Sequence, residues 1–214
     1  AGTDYYYTYG NVLFIVLDTN NYNCATHENV IRKAISDNPD AKWRVVTFHQ
    51  DIYGAAKNHS DSDGMILRTQ LTPIIDKYDI DVVLQGHDHT YSRTYQLTGD
   101  GEQHTAYNEN NYRVEDENGD LVQVEGYQDQ NSSCYELKSS LVGGTIENPE
   151  GTVYFEANSA TGSKYYDLFN PVQDYIAEKS QTYTPTYSVI SVTDDTFSVT
   201  TYNTTDEQQL EGSS

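Results

Sequence analysis

The chain has 214 residues, with 33 Asp and Glu against 12 Lys and Arg, a formal net charge of −21. Such an excess repels polyanions, so neither nucleic acid nor an anionic membrane surface is expected as a partner, and a site for an anionic substrate would need positive charge from bound divalent cations. The length suits one domain, and no run of about 18 apolar residues is present to span a membrane.

In chain order, the opening "AGTDYYYTYG" lacks the charged and hydrophobic regions of a signal peptide. In "NVLFIVLDTN" the unbroken apolar run from Val12 to Leu17 predicts a strand buried on both faces, closed by Asp18. From Thr26 the spacing of Val30, Ile31, Ala34 and Ile35 predicts a helix that "DNPD" stops, with His27 only a helix-start residue. "KWRVVTFHQ" predicts a second buried strand ending at His49. Leu67, Leu71, Ile74, Ile75 and Tyr78 keep helical spacing, with Pro73 as a kink or restart, before "DIDVVLQGHDH" supplies a third strand. Strand and helix in alternation predict the α/β class.

Residues 100 to 130 contain nine acidic residues and the single base Arg113, with "GDG" and "ENGD" as turn signals, and predict an inserted, solvated hairpin. "DENGD" lacks the spacing of an EF-hand loop, so calcium is not expected there. Beyond it, "GTVYFEANSATG" and the two alternating runs of "YSVISVTDDTFSVTTYN" around Asp194 and Asp195 predict strands, the latter a hairpin. Nothing divides the chain into repeats or linked units. Cys24 and Cys134 are too few for a disulfide framework, and free thiols or one bridge are both open. Twenty tyrosines, abundant Asn, Thr and Asp, and little Lys form a composition associated with extracellular or cell-surface proteins.

Chemistry concentrates at two predicted strand ends. Open α/β sheets bind ligands outside the carboxyl ends of their strands, where loops converge on a rigid edge. His49 follows "RVVTF", and His87 and His89 follow "DVVLQG", with Gly86 allowing a sharp turn. If the backbone stays extended, the one-residue gap aims both imidazoles to one side, which suits a metal or a metal pair. Nucleophilic serine or cysteine chemistry is disfavoured: there is no G-x-S-x-G elbow, and neither cysteine lies near these ends.

"VVTFH" and "GHDHTYSR" resemble the V-x-x-H and G-H-x-H blocks of calcineurin-like metallophosphoesterases, and Tyr91 and Arg93 resemble the purple acid phosphatase branch most. The surrounding "YYYTYGNVLFIVLDTN", "KWRVVTFHQDIY" and "GTVYFEANSATGSKYYD" are similar too, so the resemblance covers nearly everything outside the insertion. It implies the C-terminal part of a four-layer α/β/β/α sandwich and hydrolysis of a small phosphate ester. His49 and His87 would bind one ion and His89 a second, the metals being iron, zinc or manganese. Such a pair clamps the phosphate, shares a hydroxide nucleophile and neutralises developing charge. His59, in "KNHSDSD", is implied to hydrogen-bond phosphate or protonate the leaving alkoxide, and Arg93 to contact substrate.

The sequence departs from the family in lacking the upstream D-x-G or D-x-H, G-D-x-x-Y or G-D-x-x-D, and G-N-H blocks, which supply the bridging aspartate and the remaining ligands. Asp18 aligns with an intermediate strand and is not a ligand. Three histidines are too few for two bridged ions. The expectation is therefore residues 1–214 of a longer phosphoesterase without its N-terminal ligand-bearing part, itself inactive, with few or no metals and with contacts to the missing part or to a second copy. The alternative is a non-catalytic binding or structural module that keeps the fold and the histidines. In either case His49 and His87 should meet, with ring nitrogens roughly 3 to 4 Å apart if they share an ion.

Overall fold

The computed structural model describes residues 3–57, 63–102, 113–115, 117–119, 121–123, 134–170 and 173–213. Its centre is a seven-stranded sheet ordered β1-β2-β3-β4-β10-β5-β11. The strands are β1 (Tyr5–Tyr9), β2 (Val12–Val16), β3 (Trp43–Thr47), β4 (Val82–Gln85), β10 (Val153–Glu156), β5 (Tyr91–Thr94) and β11 (Ile176–Ser180). β2, β3, β4 and β10 run parallel, while β1, β5 and β11 pair antiparallel with their neighbours. Helices α1 (Cys24–Asp37) and α2 (Asp63–Lys77) are the crossovers from β2 to β3 and from β3 to β4.

Side-chain alternation along the parallel strands explains why their sequences read as continuous apolar runs. Leu13, Ile15, Val46, Val83 and Tyr154 face the helices and pack with Ile31 and Ala34 of α1 and Leu67, Leu71 and Ile75 of α2. On the other face Val12, Val45 and Val82, with Phe14, Trp43, Leu84 and Phe155, receive Val192 and Phe197. Those two belong to the hairpin of β12 (Thr186–Val192) and β13 (Phe197–Asn203), whose predicted turn falls at Asp194 and Asp195. Trp43 Nε1 donates to Thr193 O at 3.0 Å and its ring lies 5.6 Å from that of Phe197, which fastens the hairpin over the sheet. Helices, central sheet and second sheet are thus three stacked layers of an α/β fold.

Several expectations need correction. The tyrosine-rich start forms an edge strand, β1, turning into β2 through Gly10 at φ +59°. Tyr5, Tyr7 and Tyr9 stay exposed while Tyr6 packs on the core. His27 does more than start a helix: it is fully buried, with Nδ1 2.6 Å from Asp4 Oδ2 and Nε2 2.8 Å from Asn21 O, so it ties α1 to the start of β1. The first helix begins at Cys24, two residues earlier than expected, and α2 runs unbroken through Pro73. Cys24 and Cys134 are buried free thiols.

The acidic segment enters and leaves through an antiparallel pair, β6 (Leu97–Gly99) with β9 (Tyr135–Leu137). Within it β7 (Arg113–Glu115) pairs with β8 (Leu121–Gln123), as the hairpin expectation required, and most of the remainder lies outside the described residues. Among the described residues, no helix is long and apolar enough to cross a membrane.

Candidate functional site

The pairing of β3 with β4 continues past both strands. Phe48 N donates to Leu84 O at 3.2 Å and Gly86 N to His49 O at 3.1 Å, so the two histidine-bearing segments leave the sheet side by side. His87 Nδ1 consequently lies 3.2 Å from His49 Nε2, with ring centroids 5.1 Å apart and planes at 80°. Burial first, then the charges of His87 and His89, hold the His49 pKa below its ordinary value. Protonation of His49 is thereby opposed, and neutral imidazole is the form that binds metal.

The backbone of Gly86 to His89 is not extended, contrary to the expectation from the one-residue gap. His87 sits at φ 84° and His89 at φ 51°, a region that side chains larger than Asn seldom adopt. The residue between them explains the conformation. Asp88 is fully buried, its N–H donates to Glu156 Oε1 at 3.1 Å, and its Oδ2 accepts from Ala56 N at 2.9 Å. Left-handed backbone at His87 and at His89 flanks this buried carboxylate, and both imidazoles are left partly exposed. His89 Nδ1 is 2.8 Å from Lys164 O. A carbonyl can only accept, so Nδ1 carries the proton and Nε2 keeps the lone pair, the tautomer a metal ligand needs.

Beneath the histidines lie Asp51, Asp88 and Glu156, all buried, each offering a carboxylate oxygen within 4.8 Å of the others, a group that could hold a metal ion. Asp51 is pushed well above the ordinary carboxylate range by burial and by the neighbouring Glu156, and burial likewise raises Glu156. Asp51 Oδ1 accepts from Tyr53 N at 3.1 Å and from Gln85 Nε2 at 2.5 Å, while Gln85 Oε1 accepts from Ile52 N at 3.1 Å. Buried Arg68 donates to Ile52 O at 2.5 Å and stacks on Tyr53, its guanidinium 4.6 Å from the ring centre. The chain end of β4, the loop after β3 and the end of β10 are thus tied into one block under the imidazoles. These carboxylates escaped sequence reasoning. The available signals were an Asp between two site histidines and a Glu closing the apolar run "GTVYFE".

Two further loops frame His89. Gln181 Nε2 donates to His89 O at 2.9 Å and to Tyr166 O at 2.6 Å, joining the loop after β11 to the loop after β10. The Tyr166 ring lies 5.4 Å from His89, and Lys164 Nζ sits 4.5 Å from the centre of the Tyr166 ring. Arg93 lies within β5, paired with Phe155 and Glu178 and therefore on the sheet face that carries Phe155. His59 falls outside the described residues.

No protein-family model matches the chain. The uncharacterized protein Rv2577 of Mycobacterium tuberculosis and its counterpart MT2654 are 35% identical to it over 57 residues, 27% of this chain and 11% of each relative. Among solved structures, purple acid phosphatase PPD1 from yellow lupin (Lupinus luteus) seeds superposes with a TM-score of 0.64 at 13% identity, over 97% of this chain and 31% of that one. GAP50, described as the anchor in the inner membrane complex of Plasmodium, gives 0.53 at 13% identity over 96% of this chain and 50% of that one. The chain thus shares the fold of the part of the lupin purple acid phosphatase that it superposes on, and it spans about a third of that protein's length.

Proposed function

We propose that this chain carries part of a metal-dependent phosphoester-hydrolysing site at the carboxyl ends of β3, β4 and β10. The observation that carries it is the His49 to His87 contact of 3.2 Å, since two imidazole nitrogens bound to one ion at about 2.0 to 2.1 Å lie at about this separation. The donor set fits a metal: His49 and His87 would hold one ion, and His89, with its Nδ1 proton held by Lys164 O, would face a second through Nε2. When bound, divalent or trivalent iron, zinc or manganese would supply a nucleophile at neutral pH and charge neutralisation at the phosphoryl group.

The protein's own contributions are positional and electrostatic. The Asp51, Asp88 and Glu156 block fixes the two loops that present the imidazoles, and Lys164 brings a positive charge to the His89 side of a strongly acidic chain. His59 is assigned to protonating the leaving alkoxide, and Arg93 remains a proposed substrate contact. Additional ligands, a bridging carboxylate above all, would come from outside this chain, either from a further part of a longer protein or from a partner copy. An extracellular or cell-surface setting accords with the tyrosine-rich, lysine-poor composition.

The test is metal analysis and titration with Zn(II) or Mn(II), with hydrolysis of p-nitrophenyl phosphate and its bis ester followed in parallel. The purified chain should take up less than two equivalents, and His87→Ala should abolish uptake at the His49 site. In a longer active form His59→Ala should lower turnover of a poor leaving group about 10²- to 10⁴-fold with metal retained. Binding that is indifferent to His87→Ala overturns the metal site, and two tightly held equivalents in this chain alone overturn the need for outside ligands. The resemblance to GAP50, an anchor by its description, favours a second reading, a non-catalytic module. Metal uptake without hydrolysis in the longest natural form would decide for it.

A further inference from the structure

The three carboxylates beneath the imidazoles are each oriented through one oxygen. Asp51 Oδ1 accepts from Tyr53 N and Gln85 Nε2, Asp88 Oδ2 from Ala56 N, and Glu156 Oε1 from Asp88 N. The second oxygens of Asp51 and Glu156 are buried and accept no hydrogen bond among the described residues. A separate strand adds a fourth oxygen. Ser92 of β5 pairs directly with Glu156 of β10, so its side chain stands beside that of Glu156 on the same face of the sheet. Its hydroxyl is fully buried and also has no hydrogen-bond partner among the described residues. Charge is unbalanced as well. Arg68 is the buried cation that favours the Asp51 carboxylate, and one guanidinium against three ionised carboxylates leaves the block two positive charges short. Buried charge without compensation is costly, and a bound cation removes that cost.

We propose that Asp51, Asp88, Glu156 and Ser92 form a separate cation site beneath the histidines, one that takes a hard divalent ion of the calcium or magnesium type. The donors are all oxygen, the set such ions prefer, whereas the imidazoles above suit zinc or iron. Each carboxylate offers an oxygen within 4.8 Å of the others, and two oxygens on opposite sides of a calcium ion at about 2.4 Å lie about that far apart. Two positive charges added to that of Arg68 balance the three carboxylates. The ion joins four parts of the sheet: Asp51 follows β3, Asp88 follows β4, Glu156 ends β10 and Ser92 lies in β5. Because Asp88 sits between His87 and His89, holding its carboxylate also holds the left-handed backbone that presents both imidazoles. The ion is structural: it touches no substrate and positions the histidines through Asp88. The site needs no ester to fill it, so it is independent of the phosphoester reading above.

The experiment is equilibrium dialysis of the chelator-stripped chain against calcium, magnesium and zinc chlorides in turn, with thermal melts in parallel. One saturable equivalent of calcium or magnesium should bind above the loose binding of an acidic surface, and the tighter of the two identifies the ion. At about 100 times its Kd that ion should raise the melting temperature by roughly 5 to 10 °C. Asp51→Asn and Glu156→Gln preserve size and should each abolish the equivalent and the shift, although in chelator Glu156→Gln should melt no lower than the unaltered chain. Ser92→Ala should weaken the ion by about tenfold or more. His87→Ala should lose zinc from the imidazoles and keep the hard ion, so the two sites fail separately. The ring proton resonances of His87 and His89 should move as the hard ion is added to the unaltered chain and stay still in Glu156→Gln. The site is overturned if no saturable hard ion binds, if binding survives both carboxylate variants, or if it is lost with His87→Ala. Rings that stay still while the ion binds overturn its hold on the histidines. A hard ion that binds while the imidazoles take no zinc leaves this site standing and removes the metal centre proposed above it.

Discussion

Replacing Asp88 distinguishes its hydrogen bond from its charge. In Asp88→Ala the buried N–H of Ala56 loses the acceptor it now has at 2.9 Å, and a buried donor deprived of its partner costs about 1 to 3 kcal/mol. The bond from Asp88 N to Glu156 Oε1 is made by backbone and survives in principle. Taking about 2 kcal/mol, and a urea slope of about 2 kcal/mol per molar for a chain of this size, the unfolding midpoint should fall by about 1 M. Asp88→Asn keeps an oxygen for Ala56 and removes a charge that raises the Glu156 pKa. It should stay within about 0.5 kcal/mol of the unaltered protein, or exceed it. Urea unfolding followed by far-UV circular dichroism measures both. An asparagine variant that falls as far as the alanine one would show that charge, not the bond to Ala56, holds the turn. Two unchanged midpoints would show that Asp88 does not hold it at all.

Two further outcomes concern the same block. Burial lifts the Glu156 pKa, so the folded state keeps a proton that the unfolded chain releases above its ordinary value of about 4.3. The associated stability is complete below that value and fades as pH rises through the raised one. Glu156→Gln should therefore reduce the loss of stability as pH rises above the ordinary value of about 4.3, and melts with an unchanged slope there would place the proton elsewhere. At Gly54 an added Cβ would fall 1.4 Å from Asp51 Oδ2, a clash the fixed carboxylate cannot avoid. Gly54→Ala should cost about 1 to 3 kcal/mol, lowering the melting temperature by roughly 5 °C, and a wild-type melt would show that the Asp51 side chain is free to move.

Much of the scaffold was readable because local pattern and tertiary role agree. The runs at Val12, Trp43 and Val82 are apolar on both faces since each strand is sandwiched between helices and a second sheet, and the histidines follow at the edge where such sheets bind ligands. The β12–β13 hairpin announced itself by alternation around two aspartates. What escaped was set by distance or by context. β10 inserts between β4 and β5 although residues 95–152 separate it from the nearer of them in sequence, and nothing in "GTVYFE" names its neighbours. β1 alternates Tyr with Tyr and Thr, so an exposed face and a packed face look alike. The positive φ at His87 and His89 follows from burying Asp88, and that burial depends on Ala56 and Glu156, which the sequence holds 32 residues before it and 68 after.

The place of β10 also governs the order in which the chain can assemble. A nascent chain emerges at roughly 5 to 20 residues per second, and its N-terminal elements can pair first. β2, β3 and β4 can therefore dock as soon as residue 85 is available, yet β5, made moments later, has no partner, because its neighbours on both sides, β10 and β11, come from after residue 152. Until then the segment "GHDH" lacks the Glu156 acceptor that helps to turn it. The acidic insertion must be synthesised during this interval, before β10 can pair with β4. Closure of the sheet and completion of the histidine turn are then one late event, and a deletion that shortens the insertion should shorten the wait.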